Sequence, residues 1–359
     1  MKNLLFVFGT RPEAIKMCPI ILELRSRGYS NFKVISTGQH KSMLTDALRS
    51  FGILPDVNLS IMRRSQSQSY VIRKLLHRLT GIYAKEPKSI VVVHGDTTTA
   101  FSAALAAFLS GMPIAHVEAG LRTYDINEPY PEEFNRRAIS LMSDINFAPS
   151  DEAMRNLIAE GIAKEKIFLT GNTVIDALKY NLDRCNSVFA TPDNYALVTV
   201  HRRENLERLD SIFGAFQKIA DRFPTLTLVY PVHKNPTIKK MAEKYLSGTR
   251  NIKLLSPLPT HEFHRALFGC RFVMTDSGGV TEEAAYLGKP IISLRDKSER
   301  SELTEHSGMI IAGTERENIL AEVTRLIEDG EYYRNMSRPT KIYGSGDASV
   351  KIADLLIKM

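Results

Sequence analysis

The stretch IVVVHGDTTTAFSAALAAFLSGMPIAHVEAGLRTYDINEPYPEEFNRR, residues 90–137, decides how the rest of the chain is read. Its first four residues are apolar and β-branched, the composition of a buried strand, and the run stops at His94-Gly95-Asp96. Helical spacing follows over 98–109 and ends at Gly111, with Pro113 beyond. A second short strand, 113–117, leads into Glu118-Ala119-Gly120. Strand, helix, strand in that order makes the two strands parallel. Asp96 and Glu118 therefore stand past the carboxyl ends of both strands, on the sheet edge where open α/β folds bind ligands. Glu132 and Glu133 follow in a Pro-rich loop within reach of that edge. With Arg122, His94 and His116 alongside, the set points to proton transfer. Each carboxylate alone reads equally as a cap, and Asp96 or the threonines after it can cap the helix that starts at 98.

The alternation continues in both directions. Strands are expected at 4–8, 32–36, 145–148 and 167–170, and again at 195–200, 227–230, 252–255, 272–275, 290–294 and 309–312, with helical patterns between them. That is an α/β chain with parallel sheets. Its 359 residues exceed what one core usually holds, so two domains are expected, joined somewhere in 171–194. After the first strand, Gly9-Thr10 makes a turn and Pro12 suits a first helical turn. Arg11 and Lys16 then bracket a helix start whose outward N–H groups would suit an anion. Pro19 is expected to kink or break that helix.

Hydrophobic residues at 43% and charged residues at 24% are ordinary for a soluble globular protein. The net charge of +7 is spread along the chain rather than in blocks, which argues against nucleic-acid binding and fits a small anionic substrate. Cys18, Cys185 and Cys270 have no paired spacing, the pattern of a reducing compartment rather than of disulfides or zinc. The N-terminal apolar run ends at Gly9, too short for a signal peptide or a membrane span, so a cytoplasmic location and no membrane partner are expected.

In the second half, Asp276-Ser277-Gly278-Gly279 sits at a strand-to-helix junction and can cradle a diphosphate. Glu283, further along that helix, would accept from ribose hydroxyls or simply face solvent. His201-Arg202-Arg203 gathers positive charge at another strand end, where it would steady a departing diphosphate. His261-Glu262-Phe263-His264 is one residue short of the zinc-protease spacing, and no metal is expected; Phe263 instead offers a flat apolar surface to a base. There is no Walker A motif, and no GxGxxG follows the first strand, so neither a P-loop nor a nicotinamide cofactor is expected.

Seven motifs then fall in series: Phe8-Gly9-Thr10-Arg11-Pro12-Glu13-Ala14, His94-Gly95-Asp96-Thr97-Thr98-Thr99, His116-Val117-Glu118-Ala119-Gly120-Leu121-Arg122-Thr123, Pro131-Glu132-Glu133, Thr170-Gly171-Asn172-Thr173-Val174-Ile175-Asp176-Ala177, His201-Arg202-Arg203-Glu204-Asn205 and Asp276-Ser277-Gly278-Gly279. Together they resemble the non-hydrolysing bacterial UDP-N-acetylglucosamine 2-epimerases over essentially the whole chain. The resemblance implies a GT-B-like α/β fold, two Rossmann-like parallel-sheet domains facing across a cleft. The first domain would be 1–171, with the C-terminal helix 346–359 packing back on it; the second, 172–345, would bind UDP. Carried over by motif, Asp96, Glu118 and Glu132 are the catalytic carboxylates and His201 the active-site histidine. Arg11, Lys16, Phe263, Ser277, Gly278, Gly279 and Glu283 bind substrate. Gln39, His40, Arg73 and His233 belong to a second, regulatory UDP-GlcNAc site.

The implied activity is reversible inversion of C2 in UDP-GlcNAc, without cofactor, in a homodimer that supplies surface polysaccharide synthesis. Three other readings share the nucleotide site: a GT-B glycosyltransferase acting on a UDP-sugar, a sugar-nucleotide-binding regulator, and a hydrolysing variant releasing free ManNAc.

Overall fold

The computed structural model describes residues 2–38, 41–61, 67–184, 192–300, 302–306 and 308–359. Its contacts group into two units, Met1–Tyr180 with Ile342–Met359, and Asn181–Lys341. The first unit carries β1 (Leu4–Phe8), β2 (Phe32–Ser36), β3 (Val57–Asn58), β4 (Ile90–His94), β5 (Ile114–Val117), β6 (Ile145–Ala148) and β7 (Ile167–Leu169), in the order β3-β2-β1-β4-β5-β6-β7. The second carries β8 (Tyr195–Thr199), β9 (Thr227–Pro231), β10 (Ile252–Leu255), β11 (Phe272–Thr275), β12 (Ile291–Ser293) and β13 (Met309–Ile311), in the order β10-β9-β8-β11-β12-β13. Every described pairing is parallel. β1, β4 and β5 are buried at each residue, as strands covered on both faces must be.

The strand order reverses between β1 and β4 in one sheet and between β8 and β11 in the other, and a crevice opens at such a point. Register then settles which residues meet there. His94 pairs with Val117, and Gly95 N–H donates to Val117 C=O at 2.9 Å, so Asp96 and Glu118 leave the sheet side by side.

In the first unit the helices are α1 (Arg11–Ser26), α2 (Lys41–Ser50), α3 (Gln68–Tyr83), α4 (Thr98–Leu109), α5 (Glu132–Met142), α6 (Asp151–Ala159) and the start of α7 (Thr173–Arg184). The second unit has α8 (Leu209–Arg222), α9 (Pro236–Leu246), α10 (Thr260–Gly269), α11 (Gly278–Tyr286), α12 (Glu302–His306), α13 (Arg316–Glu328) and α14 (Gly330–Met336). The last helix, α15 (Ala348–Lys358), returns to the first unit.

Two expectations are corrected. Pro19 does not end α1, which runs on to Ser26. An interior proline costs about 3 kcal/mol. Met17, Cys18, Ile20, Ile21 and Leu24 flank it and are fully buried, each worth about 1.5–3 kcal/mol, so packing outweighs the lost hydrogen bond. Glu132 and Glu133 are not loop residues but the opening of α5, whose ladder already starts in the proline segment: Glu133 N–H donates to Pro129 C=O and Asn135 N–H to Pro131 C=O.

The C-terminal return is tied down at three points. Ser349 donates through its N–H, at 2.8 Å, and its hydroxyl to the buried Asp176 carboxylate. Ile352, Ala353 and Leu356 share a core with Met17, Ile20 and Ile21. Asn172 N–H donates to Tyr343 C=O at 2.8 Å, where Gly171 and Gly344, both at positive φ, let the backbones touch.

Gly120 closes the Glu118 turn at φ 95°, and a Cβ there would lie 2.2 Å from the Ala153 carbonyl oxygen of α6. Gly120→Ala is expected to cost about 3 kcal/mol, because backbone cannot yield as a side chain can. A lowered thermal unfolding midpoint checks this, and an unchanged midpoint contradicts it.

Candidate active site

In the first unit, Glu118 follows β5 at the sheet edge. The residue has φ 64°, rare outside glycine, so tertiary contacts rather than local preference aim its side chain. Lys16 of α1 forms an ion pair with Oε2. Asn172 Nδ2 donates to the same oxygen at 2.6 Å. His94 Nε2 lies 3.8 Å from it, beyond hydrogen-bond length. Gly95 itself sits at φ 62°, which favours glycine, and a Cβ there would be in ordinary contact with Glu118 Oε1 at 3.5 Å.

Asp96 is held from α5. Arg136 donates to its Oδ2 through Nε at 3.0 Å and through Nη2, and Asn135 Nδ2 donates to its carbonyl at 2.9 Å. Glu132 stands one turn before Arg136 on the same helix face. Glu133 is fully buried and accepts from Thr123 N–H and Tyr124 N–H, so it shapes the loop rather than facing the edge.

Other members of the expected set are committed elsewhere. Arg122 grips Glu160 bidentately, Nε to Oε1 at 2.9 Å and Nη2 to Oε2 at 2.7 Å. His116 Nε2 lies 2.8 Å from Gly95 C=O and Nδ1 lies 3.3 Å from the Ser140 hydroxyl. A carbonyl only accepts, so Nε2 carries the proton and His116 is a brace. The turn that precedes α1 is taken up by one of the chain's own carboxylates. The Gly9 and Thr10 N–H groups both donate to Glu13 Oε2, at 3.0 and 2.8 Å, and the Thr97 hydroxyl donates to Oε1 at 2.8 Å. Glu13 thus ties the α1 turn to the residue beside Asp96. Burial raises its pKa, opposed first by the Thr10 hydroxyl, which donates to Oε2 at 2.7 Å, and then by those hydrogen bonds. Arg11 opens α1, half-buried.

In the second unit, Asp276 organises the edge. It is 1% exposed. Its Oδ2 accepts from His201 N–H at 2.8 Å, Arg202 N–H at 2.9 Å and Asn205 Nδ2 at 3.1 Å, while Oδ1 lies 3.0 Å from His201 Nδ1. Burial opposes its charge, yet the His201 imidazolium and these donors outweigh burial and hold the carboxyl down at about 2.

Ser277 precedes α11 and Gly278 opens it. Gly278 is required by Arg300, whose Nη1 would lie 2.2 Å from a Cβ there; Gly279 faces open space. Glu283 is buried, with His264 Nε2 3.2 Å from its Oε1, and Asn181 Nδ2 lies 3.1 Å from His264 Nδ1. Both His264 nitrogens are thereby spent, which removes it from any ligand pair with His261. Phe263 is half-buried on α10.

Of the regulatory set, Gln39 and His40 lie outside the described residues, as do Cys185 and the Arg203 side chain. Arg73 is exposed on α3, over the Tyr70 ring at 5.7 Å. His233 stacks loosely on His201, ring centroids 5.8 Å apart. Sequence reading missed Glu13, Asn172, Arg136 and Asp276 as holders of the candidate groups. Only Asp276 carried a usable signal, a buried-strand end next to the strand that ends before His201.

Two doubly wound parallel sheets, each with its polar groups at the switch point, make this a GT-B-like α/β protein. The family model for UDP-N-acetylglucosamine 2-epimerase matches residues 22–357. The UDP-N-acetylglucosamine 2-epimerase of Campylobacter jejuni is 43% identical, the alignment covering 100% of this chain and 98% of that one. The crystal structure of UDP-GlcNAc 2-epimerase from Neisseria meningitidis bound to UDP-GlcNAc is 40% identical, with full coverage of both chains and a TM-score of 0.96. That of Methanocaldococcus jannaschii in complex with UDP-GlcNAc and UDP is 33% identical, also with full coverage, with a TM-score of 0.89. The chain belongs to the UDP-N-acetylglucosamine 2-epimerase family.

His94 and His116 yield a test of the first unit. Burial is the main cause that pushes each imidazole down to about 4. Unfolded histidines bind a proton near pH 6.5, so between pH 6.5 and 4 the unfolded chain takes up protons that the fold refuses. Stability is therefore complete above 6.5 and falls with pH through that window, by about 3 kcal/mol per imidazole. Glu13, with its raised pKa, works in the opposite sense, so the variant His116→Gln is the proper reference. Hydrogen exchange at β4 and β5 amides is expected to show wild type losing its advantage over that variant from pH 7 to 4; a constant difference contradicts the assignment.

Proposed function

We propose that the protein interconverts UDP-N-acetylglucosamine and UDP-N-acetylmannosamine by inverting C2. The observation that carries the reading is the pair of carboxylates, Asp96 and Glu118, at the ends of adjacent parallel strands, each with its own cation. The C2–H of an N-acetyl sugar is barely acidic until the C1–O bond to UDP breaks. Loss of UDP leaves an oxocarbenium-like centre, and a carboxylate then removes the C2 proton to give 2-acetamidoglucal and UDP. Return of a proton to the opposite face of C2, with UDP re-adding at C1, gives the epimer. Two faces require two acid–base groups, drawn from Asp96, Glu118 and Glu132.

Diphosphate departure calls for positive charge, for which Arg11, Lys16 and His201 are suited. Ser277, Gly278, Gly279, Glu283 and Phe263 form the nucleotide end of the reading, supported by the open side of Gly279. No step needs a redox cofactor. Full-length similarity to epimerases favours this reading over a GT-B glycosyltransferase.

The wider reading is a cytoplasmic homodimer, activated by a second UDP-GlcNAc through Arg73 and His233, in surface polysaccharide synthesis. The unpaired buried thiols Cys18 and Cys270 suit a reducing compartment. No helix among the described residues is long and apolar enough to cross a membrane. For the dimer, support comes from the exposed apolar side chains of the neighbouring helices α4 and α5, Phe108, Leu109, Phe134 and Leu141.

Asp96→Asn and Glu118→Gln are expected to fold and to lose about 10²–10⁴-fold in turnover. In D₂O, proton NMR of the wild type with UDP-GlcNAc alone should show UDP-ManNAc labelled at C2. Near-normal turnover in both variants, or product without label, would remove the carboxylate mechanism.

A further inference from the structure

Asn172 is buried to 2% exposure between the C-terminal return and Glu118. Its Oδ1 accepts from Val174 N–H at 3.1 Å, which leaves Nδ2 as the atom that faces Glu118 at 2.6 Å. Turning the amide over would set oxygen against carboxylate at one end and NH₂ against N–H at the other. Its polarity is therefore settled. Lys16, the other donor to the same carboxylate oxygen, is a point charge on a flexible stem and imposes little orientation. The planar amide does, on a glutamate whose backbone sits at φ 64°. Asn172 is in turn fixed through its backbone N–H to Tyr343 C=O, and Asp176, on the helix that follows it, holds Ser349.

We propose that Asn172 is a positioning residue that aims the Glu118 carboxylate at the reacting carbon, and that the C-terminal segment holds Asn172 in place through Tyr343. The proposal rests on the epimerase reading. It makes the tail part of the acid–base apparatus without touching substrate.

Besides Asn172, Glu118 is faced by Lys16 from α1 and His94 from β4, with Asp96 nearby on the strand-end loop. Asn172→Asp keeps the shape, the acceptor for Val174 N–H and the backbone bond to Tyr343, and sets a second carboxylate against Glu118. Two carboxylates at one site retain a proton to higher pH. The acid limb of the kcat–pH profile is expected to move up by about one unit, with kcat at pH 7 down about tenfold and KM for UDP-GlcNAc within about twofold. Asn172→Ser keeps an acceptor for Val174 but its shorter hydroxyl withdraws the donor from Glu118; kcat should fall, and the acid limb should move up by less than in Asn172→Asp, since the carboxylate loses one hydrogen bond and meets no like charge. Circular dichroism establishes that each variant is folded, and the serine variant carries the test if the aspartate one is not. A folded variant with wild-type kcat and an unmoved profile overturns the proposal. A wild type that makes no UDP-ManNAc from UDP-GlcNAc overturns the underlying reading and this proposal with it, whereas an active wild type with silent variants overturns this proposal alone.

Discussion

A carboxylate at the end of a buried strand has lost most of its water, and something else must hold its charge. This protein meets that need in three ways, and the differences sort its acids by role. Glu13 is held by hydroxyls and N–H groups alone, and burial still wins, so its pKa rises. Asp276 has comparable hydrogen bonds plus an imidazolium, and falls to about 2. Asp96 and Glu118 have full cations, Arg136 and Lys16, but remain at the sheet edge rather than beneath it. The first two are built into the frame, and the second pair are the acids to which the proposed chemistry is assigned.

Much of the frame was legible from sequence because a buried parallel strand announces itself. Runs such as LLFVF and IVVVH have few other uses. Local rules failed where they met longer-range packing. Pro19 breaks a helix by a local cost, and the apolar side chains around it are paid for only by tertiary burial. The start of α5 was hidden by Pro129 and Pro131, read as loop punctuation although a proline next to a first helical turn loses nothing.

The candidate groups were legible as well, but their partners were not. Glu118 meets residues 102 and 54 positions away, and His201 meets its carboxylate 75 positions away. No spacing rule spans such gaps. What could have been foreseen is neighbourhood, because residues that follow adjacent strands of a parallel sheet emerge together. His201 follows β8 and Asp276 follows β11, which pair in register. The partner of the Gly9 and Thr10 N–H groups escaped notice for the reciprocal reason, since Glu13, which accepts from both, comes from the helix that the turn itself starts.

Direction, as well as proximity, is settled by the hydrogen-bond pattern. The Thr97 hydroxyl donates to Glu13 and accepts from Ala100 N–H; His116 gives its Nε2 proton to a carbonyl; Asn172 has an N–H at its oxygen and a carboxylate at its nitrogen. The Thr97 oxygen spends its one proton on Glu13, the His116 ring is held at both nitrogens, and the Asn172 amide has partners of opposite kind at its two ends and cannot turn over without losing both bonds. A net of such groups fixes where the acids point before any substrate arrives, and charge preorganised in that way does not have to be rearranged during reaction. The same property explains why these residues are poorly probed by truncation. Removing one leaves a buried donor or acceptor unpaired and damages the fold, whereas an isosteric exchange of amide and carboxylate alters the sign of one contact and leaves the packing as it was.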